Sequence, residues 1–396
     1  MAVSAGANVV NSGLVFAFDA GADANFGCTI STNKYGTTTT FLNGVGSSFE
    51  SDSNPTNTIV LLENPSNYSP YVLRQNGNNT EYQINLTTQL ASSTTYTLSG
   101  WYAKSSDYNG SDTMFHCRAF STSGNHVALG TGIGTVIKTQ VVGGITWSYC
   151  YTTITTPSDY SNSFHWYVGY GTNNTAGYRY YANLRLEEGT FPTLKNLKSS
   201  SNNVVPVNGT TYSTSNGGAI VFDGTNDYLS LGNLGTIGNY QTVDVWFYST
   251  SVTNYKNVLD MNYGNYGSTG NVGPRLEQST GGSSGWVWSG NTSNNSLLVG
   301  QGTPYSISAN TWYNATWVND NGTVAVYLNG VATQTGISST YGFITTYGAA
   351  SIGRGFHLDS SRYFAGNIAG VRIYNVALSA SQVLQNFNAQ RDRFGI

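Results

Sequence analysis

From about Ser215 onward, apolar and polar residues alternate in short runs separated by Gly, Asn and Ser. AIVFDG (219–224), YLSLG (228–232), TVDVWFYS (242–249), WVWSG (286–290), WYNATWVND (312–320) and TVAVYLNG (323–330) each predict a strand, because side chains on a pleated chain point to opposite sides in turn. Asn321-Gly322 between two such runs predicts a two-residue hairpin in which both central residues need positive φ, and Asn329-Gly330 repeats the device. ASIGR (350–354) and NIAGVRIYNVAL (367–378) continue the series. A single helical pattern follows: Ser379 as N-cap, then residues 380–391 with Val383, Leu384 and Phe387 on one face. Upstream the same strand grammar recurs in YVLRQ (71–75), YQINL (82–86), TYTLSGWYAKS (95–105), TMFHCRAFST (113–122), WSYCYTTIT (147–155), FHWYVGYG (164–171) and YRYYANLRLEEGTFPT (178–193). Strands at this spacing, with no long helical period between them, predict an all-β chain. Two antiparallel β-sandwich (jelly-roll) domains and one short C-terminal helix are expected.

Composition narrows the function classes. Charged residues are only 9% of the chain, yet Tyr (29), Phe (16) and Trp (8) are spread along it, which excludes low-complexity disorder. A net charge of −3 without Lys/Arg clusters gives no footprint for nucleic acid. No apolar run reaches the length of a membrane-spanning helix. The opening MAVSAGANVVNSGLVFAFDAG lacks the basic and apolar regions of a secretory signal, so no export leader is expected. Cys28, Cys117 and Cys150 are too few and odd in number for a disulfide framework. Cys117 and Cys150 lie in strand-like runs and read as small buried hydrophobes. Synthesis in a reducing cytoplasm fits these features.

Several segments carry a family likeness. FDGTNDYLSL (222–231), TVDVWFY, WYNATW, VYLNG and the closing run SIGR…FAGNIAGVRIYNVALSASQVLQNFNAQRDRFG resemble the concanavalin-like, laminin-G-like lectin fold. Within it, they resemble the version that recurs in structural proteins of tailed phages. NSGLVFAFDAGADANFG (11–27) is similar to the segment that opens that domain, and residues 196–224 are similar to the connector that normally follows it closely. The long separation implies an insertion, which loop tips of a sandwich tolerate because few backbone hydrogen bonds are lost there. The expected organisation is residues 1–27 contributing to the C-terminal sandwich, an inserted module over 28–194, and the lectin-like sandwich over 195–396. YTLSGWYAK and ANLRLEEGTFPT within the insert resemble jelly-roll carbohydrate-binding modules of the family 4/9 type.

Catalytic chemistry finds little support. The glucanase branch of the fold places its acids as Glu-x-Asp-x-Glu, a spacing absent here. Glu187 and Glu188 are adjacent on a strand and must face opposite sides, one solvated and one hydrogen-bonded. His116, His126, His165 and His357 show no ligand spacing for zinc. No nucleophile motif or phosphate-binding loop occurs. The lectin resemblance implies calcium as a candidate ion, with Asp260, Asp320 and Asp359 in or beside predicted loops. Asp223 and Asp227 instead read as turn-fixing side chains.

Aromatic platforms are the candidates for binding, since a broad apolar ring with a polar tip suits the C–H face of a sugar. Trp286 and Trp288 share one side of their strand, and Tyr178 and Tyr180 share one side of theirs. Inter-sheet packing or a protein contact is the alternative for each pair. Trp101, Trp147 and Trp166 lie inside apolar alternation and read as core.

The resemblance and the low-charge surface together predict a non-enzymatic virion protein: a capsid decoration, capsid fibre or tail appendage. Its expected partners are other virion proteins and host cell-surface glycans, in a homo-oligomer or symmetric assembly. Its expected place is the virion, after synthesis in the host cytoplasm. Either the first dozen residues or the C-terminal helix, with Arg391, Arg393 and Phe394, is expected to anchor it. A surface adhesin and a polysaccharide depolymerase are the alternatives.

Overall fold

In the computed structural model, alternation becomes strand wherever it was strong. The structure describes residues 9–19, 49–50, 58–62, 65, 71–75, 82–85, 90–129, 132–170, 175–192, 194, 204–252, 256–261, 271–278, 286–290, 297–299, 307–338, 342–355 and 362–396. Contacts divide the chain into two units. One joins Met1–Asn25 to Leu194–Ile396, and the other is Phe26–Thr193.

The first unit is built on two large antiparallel sheets. One runs in the order Thr211–Ser213, Ala219–Asp223, Ala365–Tyr374, Tyr240–Ser249, Trp312–Asp320, Thr323–Leu328, Val331–Ser338. The strand Leu14–Asp19 pairs with Ala365–Tyr374, opposite Gly370 to Tyr374, while Ala219–Asp223 takes Ala365 to Ile368 of the same strand. The second sheet runs Val205–Val207, Tyr228–Gly232, Ala350–Ile352, Asn257–Asp260, Arg275–Gln278, Trp286–Gly290, Leu297–Val299. Asn321 and Gly322 have φ of 46° and 100°, and Asn329 and Gly330 have 50° and 77°. Both hairpins therefore take the mirror-image turn whose twist matches the strands.

Alternation also sets which side chains meet. Val243, Val245 and Phe247 are buried on one side of their strand, with Phe247 6.4 Å from Phe364 and Phe364 6.0 Å from Phe222. Gly353, just after Ala350–Ile352, has room only for a hydrogen, because a Cβ there would lie 2.4 Å from the Phe222 ring. Thr242, Asp244 and Trp246 point the other way, onto a face covered by the C-terminus. The helix Ala380–Asn388 opens with a capping box between Ser379 and Gln382, and a second short helix, Arg391–Phe394, follows. Two short helices thus replace the single one expected over 380–391. The break falls at Ala389-Gln390, where the Gln390 backbone leaves helical geometry. Val383 and Phe387 are buried, but Leu384 is 43% exposed because it sits beside, not within, the i, i+4 stripe.

The second unit pairs a six-stranded sheet (Thr58–Leu61, Tyr71–Gln75, Arg179–Glu188, Thr95–Lys104, Ile145–Thr155, Thr135–Val142) with a five-stranded one (Phe49–Glu50, Tyr82–Asn85, Tyr160–Val168, His116–Ser121, His126–Leu129). Tyr96, Leu98, Tyr102, Cys150, Leu184 and Leu186 of the first meet Cys117, Ala119, Phe164 and Trp166 of the second in one apolar core. Cys117 and Cys150 are free and buried there, and burial pushes the Cys150 thiol up to about 12. Asn183, at φ 50°, makes a bulge that places Asn183 and Leu184 opposite Gly100. A Cβ on Gly100 would lie 2.7 Å from Met114 and 2.8 Å from Leu184, so the core closes only over glycine at this point.

Candidate functional site

The aromatic positions singled out by pattern fall in different settings. The strand Trp286–Gly290 pairs with Arg275–Gln278, but the side chains of Trp286 and Trp288 lie outside the described residues. Tyr178 immediately precedes the strand Arg179–Glu188, and its ring lies 6.3 Å from that of Tyr180. Arg74 covers the Tyr178 ring at 4.7 Å, and Tyr180 is buried beside Trp147 at 6.2 Å. That ring pair is therefore already in contact with its own unit on at least one side.

Trp101, Trp147 and Trp166 are all fully buried, but only Trp166 belongs to the sandwich core. Trp101 and Trp147 occupy the opposite side of the six-stranded sheet, with Tyr149 edge-on to Trp101 at 5.2 Å. On the same side Arg185 donates to Tyr149 Oη at 3.1 Å and forms a 2.7 Å ion pair with Glu187, all three buried. Glu187 is consequently a neutralised structural carboxylate, while its neighbour Glu188 is exposed. The two acids face opposite sides and cannot act on one bond.

The aspartates divide similarly. Asp227 accepts from the backbone N–H of Gly209 at 2.7 Å and of Asp223 at 3.1 Å, while Asp223 accepts from Thr225 at 2.7 Å. Burial raises the Asp227 carboxyl above its ordinary range despite those two donors. Both residues hold turns, as their short side chains favour. Asp260 is not a loop ligand but the buried last residue of a strand, and Asp320 is the exposed residue before the Asn321-Gly322 turn. Asp359 lies outside the described residues. Among the described residues no three His, Cys, Asp or Glu side chains converge on a metal position.

Two of the C-terminal residues named as candidate anchors are used internally. Arg393 donates to Asp19 Oδ1 at 2.7 Å and to the Gly218 carbonyl at 2.6 Å, and Phe394 stacks on Trp246 with ring centroids 4.2 Å apart. Neither is free to anchor the chain elsewhere. Arg391 remains about half exposed.

A face that spacing along the chain did not disclose is assembled by strand pairing. Cys117 and Ala119 point into the core, so His116, Arg118 and Phe120 point outward from the five-stranded sheet. Register places Tyr167 opposite His116, His165 opposite Arg118, and His126 opposite Phe120. The rings of His126 and His165 each lie 5.3 Å from Phe120. His165 Nδ1 is 2.8 Å from Tyr167 Oη, and Tyr170 stacks on His116 at 3.9 Å and 11°. Phe120, His165, Tyr167 and Tyr170 are partly exposed and His126 is exposed, so this row of rings reaches solvent. His116 is 8% exposed, and both its ring nitrogens lack a hydrogen-bond partner. Desolvation first, then Arg118, holds His116 and His165 below the ordinary imidazole value, with His126 adding to the effect at His116. The period-two runs His116-x-Arg118-x-Phe120 and Ser163-x-His165-x-Tyr167 are the signal that could have found it.

Residues 223–384 match the concanavalin A-like lectin/glucanases superfamily. No curated protein matches the chain. Among solved structures, domain 4 of a GH43 extracellular arabinanase from Geobacillus stearothermophilus, in complex with arabinotriose, is 22% identical. The alignment covers 46% of this chain and 86% of that one, with a TM-score of 0.37. The botulinum neurotoxin serotype D ligand-binding domain in complex with N-acetylneuraminic acid is 15% identical over 51% of this chain and 49% of that one (TM-score 0.37). The binding domain of Paraclostridial Mosquitocidal Protein 1 is 14% identical over 50% and 49% (TM-score 0.37). The chain spans about half the length of these toxin domains.

Proposed function

We propose that the chain is a non-catalytic glycan-binding protein whose contact surface is the outward face of the five-stranded sheet. One observation carries this reading: Phe120, His165, Tyr167 and Tyr170 form a continuous, partly exposed row of rings whose polar edges are close enough to accept and donate hydrogen bonds. Rings supply stacking area for the C–H face of a sugar, and the imidazole and phenol edges supply direction. The match of residues 223–384 to a lectin and glucanase superfamily supports a binding role for the partner unit. The engagement of Glu187 by Arg185 supports a non-hydrolytic one.

The test is a glycan array probed with the full chain on a multivalent carrier. Binding that falls at least tenfold in the double variant Phe120→Ala, Tyr167→Ala supports the site. Silence across the array at high valency overturns the reading.

We further propose that the setting is the particle of a tailed phage, where the chain decorates the head or tail and many copies add avidity to weak single contacts. The likeness of FDGTNDYLSL and the closing run to phage lectin-like domains supports this placement, as does a surface with few charges. Mass spectrometry of purified particles should find the chain, and cryo-microscopy should place it against either the capsid lattice or the tail. Particles that lack it would remove the virion assignment and leave glycan binding standing.

A further inference from the structure

We propose that the outward face of the five-stranded sheet selects sugars bearing a carboxylate, with Arg118 as the ionic contact. The inference rests on the glycan-binding reading and adds the ligand's charge.

Its starting point is a missing partner. Among the described residues of the second unit, Lys104 meets Asp112 at 3.0 Å and Arg185 meets Glu187 at 2.7 Å. Arg118 differs. Among the described residues no carboxylate pairs with its guanidinium, and its buried Nε has no hydrogen-bond partner. Its Cζ lies 5.9 Å from the Tyr167 ring centroid. A ring does not answer the buried Nε–H, and a buried N–H without an acceptor is costly. His116 adds a second observation: more than nine-tenths buried, it leaves both ring nitrogens unsatisfied on the same side of the sheet.

The described groups around Arg118 are basic or neutral. Its own strand contributes His116 and Phe120, the strand His126–Leu129 contributes His126, and the strand Tyr160–Val168 contributes Ser163, His165 and Tyr167. Tyr170 closes the row over His116. Such a surface offers a carboxylate the planar fork of an arginine, which accepts it in two parallel hydrogen bonds. It offers the sugar ring the neighbouring aromatic faces. A neutral sugar would use only the second half of this arrangement.

The experiment compares matched pairs by isothermal titration against the full chain: oligogalacturonate with its methyl ester, and sialyllactose with lactose. At least one acid should bind tenfold or more tightly than its neutral partner, and which pair responds separates a uronate from a sialic acid source. Arg118→Gln should abolish the preference, the affinity for the acid falling to that for its neutral partner. Arg118→Lys, which keeps charge but loses the fork, should retain part of it. Unchanged thermal unfolding of both variants shows that the sheet is intact. Equal affinity within both pairs, or a preference that survives Arg118→Gln, overturns the assignment of charge while glycan binding stands. If no member of either pair binds and the array is silent, both readings fall together.

Discussion

The two sandwich units treat the outer side of a sheet in opposite ways. On the outer side of the sheet containing Tyr240–Ser249, Trp246 stacks with Phe387, at 5.7 Å and 7°, and with Phe394, at 4.2 Å and 19°. Beside it Arg372 meets Asp244 at 2.8 Å, and Asn314 and Thr316 donate to the other oxygen of the same carboxylate at 3.0 and 3.1 Å. On the outer side of the sheet containing His116–Ser121, the rings reach solvent and no described acid pairs with Arg118. Both faces consist of aromatic and charged residues at alternate positions, so residue type alone does not tell packing from binding. What differs is whether described residues of the same unit cover the face. In the first unit they do, and the covering helices also fasten the chain's beginning: Asn386 accepts from Val10 N–H at 2.9 Å, and Gln390 and Arg393 both donate to Asp19.

The comparison breaks most severely at the covered face. Arg372→Ala should lower stability by about 3–5 kcal/mol, because it leaves Asp244 charged, fully buried and uncompensated. Replacing both partners by apolar residues of similar volume should restore most of the loss. Denaturant unfolding of the two variants checks this, and a small loss in the single variant would mean that Asn314 and Thr316 suffice for Asp244. Phe394→Ala should cost about 3 kcal/mol, since the ring stacks on Trp246 and lies 4.6 Å from Trp312. Tryptophan fluorescence should shift to the red in the same variant. A variant that unfolds like the parent would mean that the terminal helix does not cover the sheet.

At the open face the same class of substitution should barely touch stability. Tyr167→Ala removes a partly exposed ring and should change unfolding free energy by no more than about 1 kcal/mol, while reducing glycan affinity tenfold or more. A loss of several kcal/mol with unchanged binding would show that the two faces are alike after all.

How much of this could be read from the chain follows the range of the interactions. The hairpin turns at Asn321-Gly322 and Asn329-Gly330 were legible because a positive φ is a local demand that few residues meet. The N-cap at Ser379 was legible because a side chain that accepts from the first turn is likewise a local demand. Alternation predicts core positions for Trp101, Trp147 and Trp166; all three are buried, but only Trp166 joins the sandwich core, because period two distinguishes two sides of a strand without saying which is the interior. The row of His116, His126 and His165 was missed because its members meet through strand register, not through spacing along the chain. Arg393 and Phe394 stand among the anchor candidates by sequence because their partners, Asp19 and Trp246, are far away along the chain. Long-range pairing decided each miss.

The smallest expected effect is also the one that joins stability to binding. His116 and His165 are held below the ordinary imidazole value of 6.5, chiefly by desolvation, so the folded chain binds fewer protons on these rings than the unfolded chain does. Stability should therefore be full above that value and decline as pH falls through it towards the depressed folded values. The groups around these rings (Arg118, His126, Tyr167 and Tyr170) include no acid, and the described acid of the same sheet, Glu50, lies two strands from Tyr167 by register. A bound carboxylate would supply the missing negative charge and favour protonation, so the affinity for an acidic sugar should rise over the same interval in which the free chain loses stability. Unfolding midpoints between pH 8 and pH 5, with and without the acidic sugar, read both slopes at once. His116→Asn should flatten both. If acidification weakens the complex in step with the free chain, the carboxylate does not lie beside these histidines, and Arg118 must meet its ligand from another side.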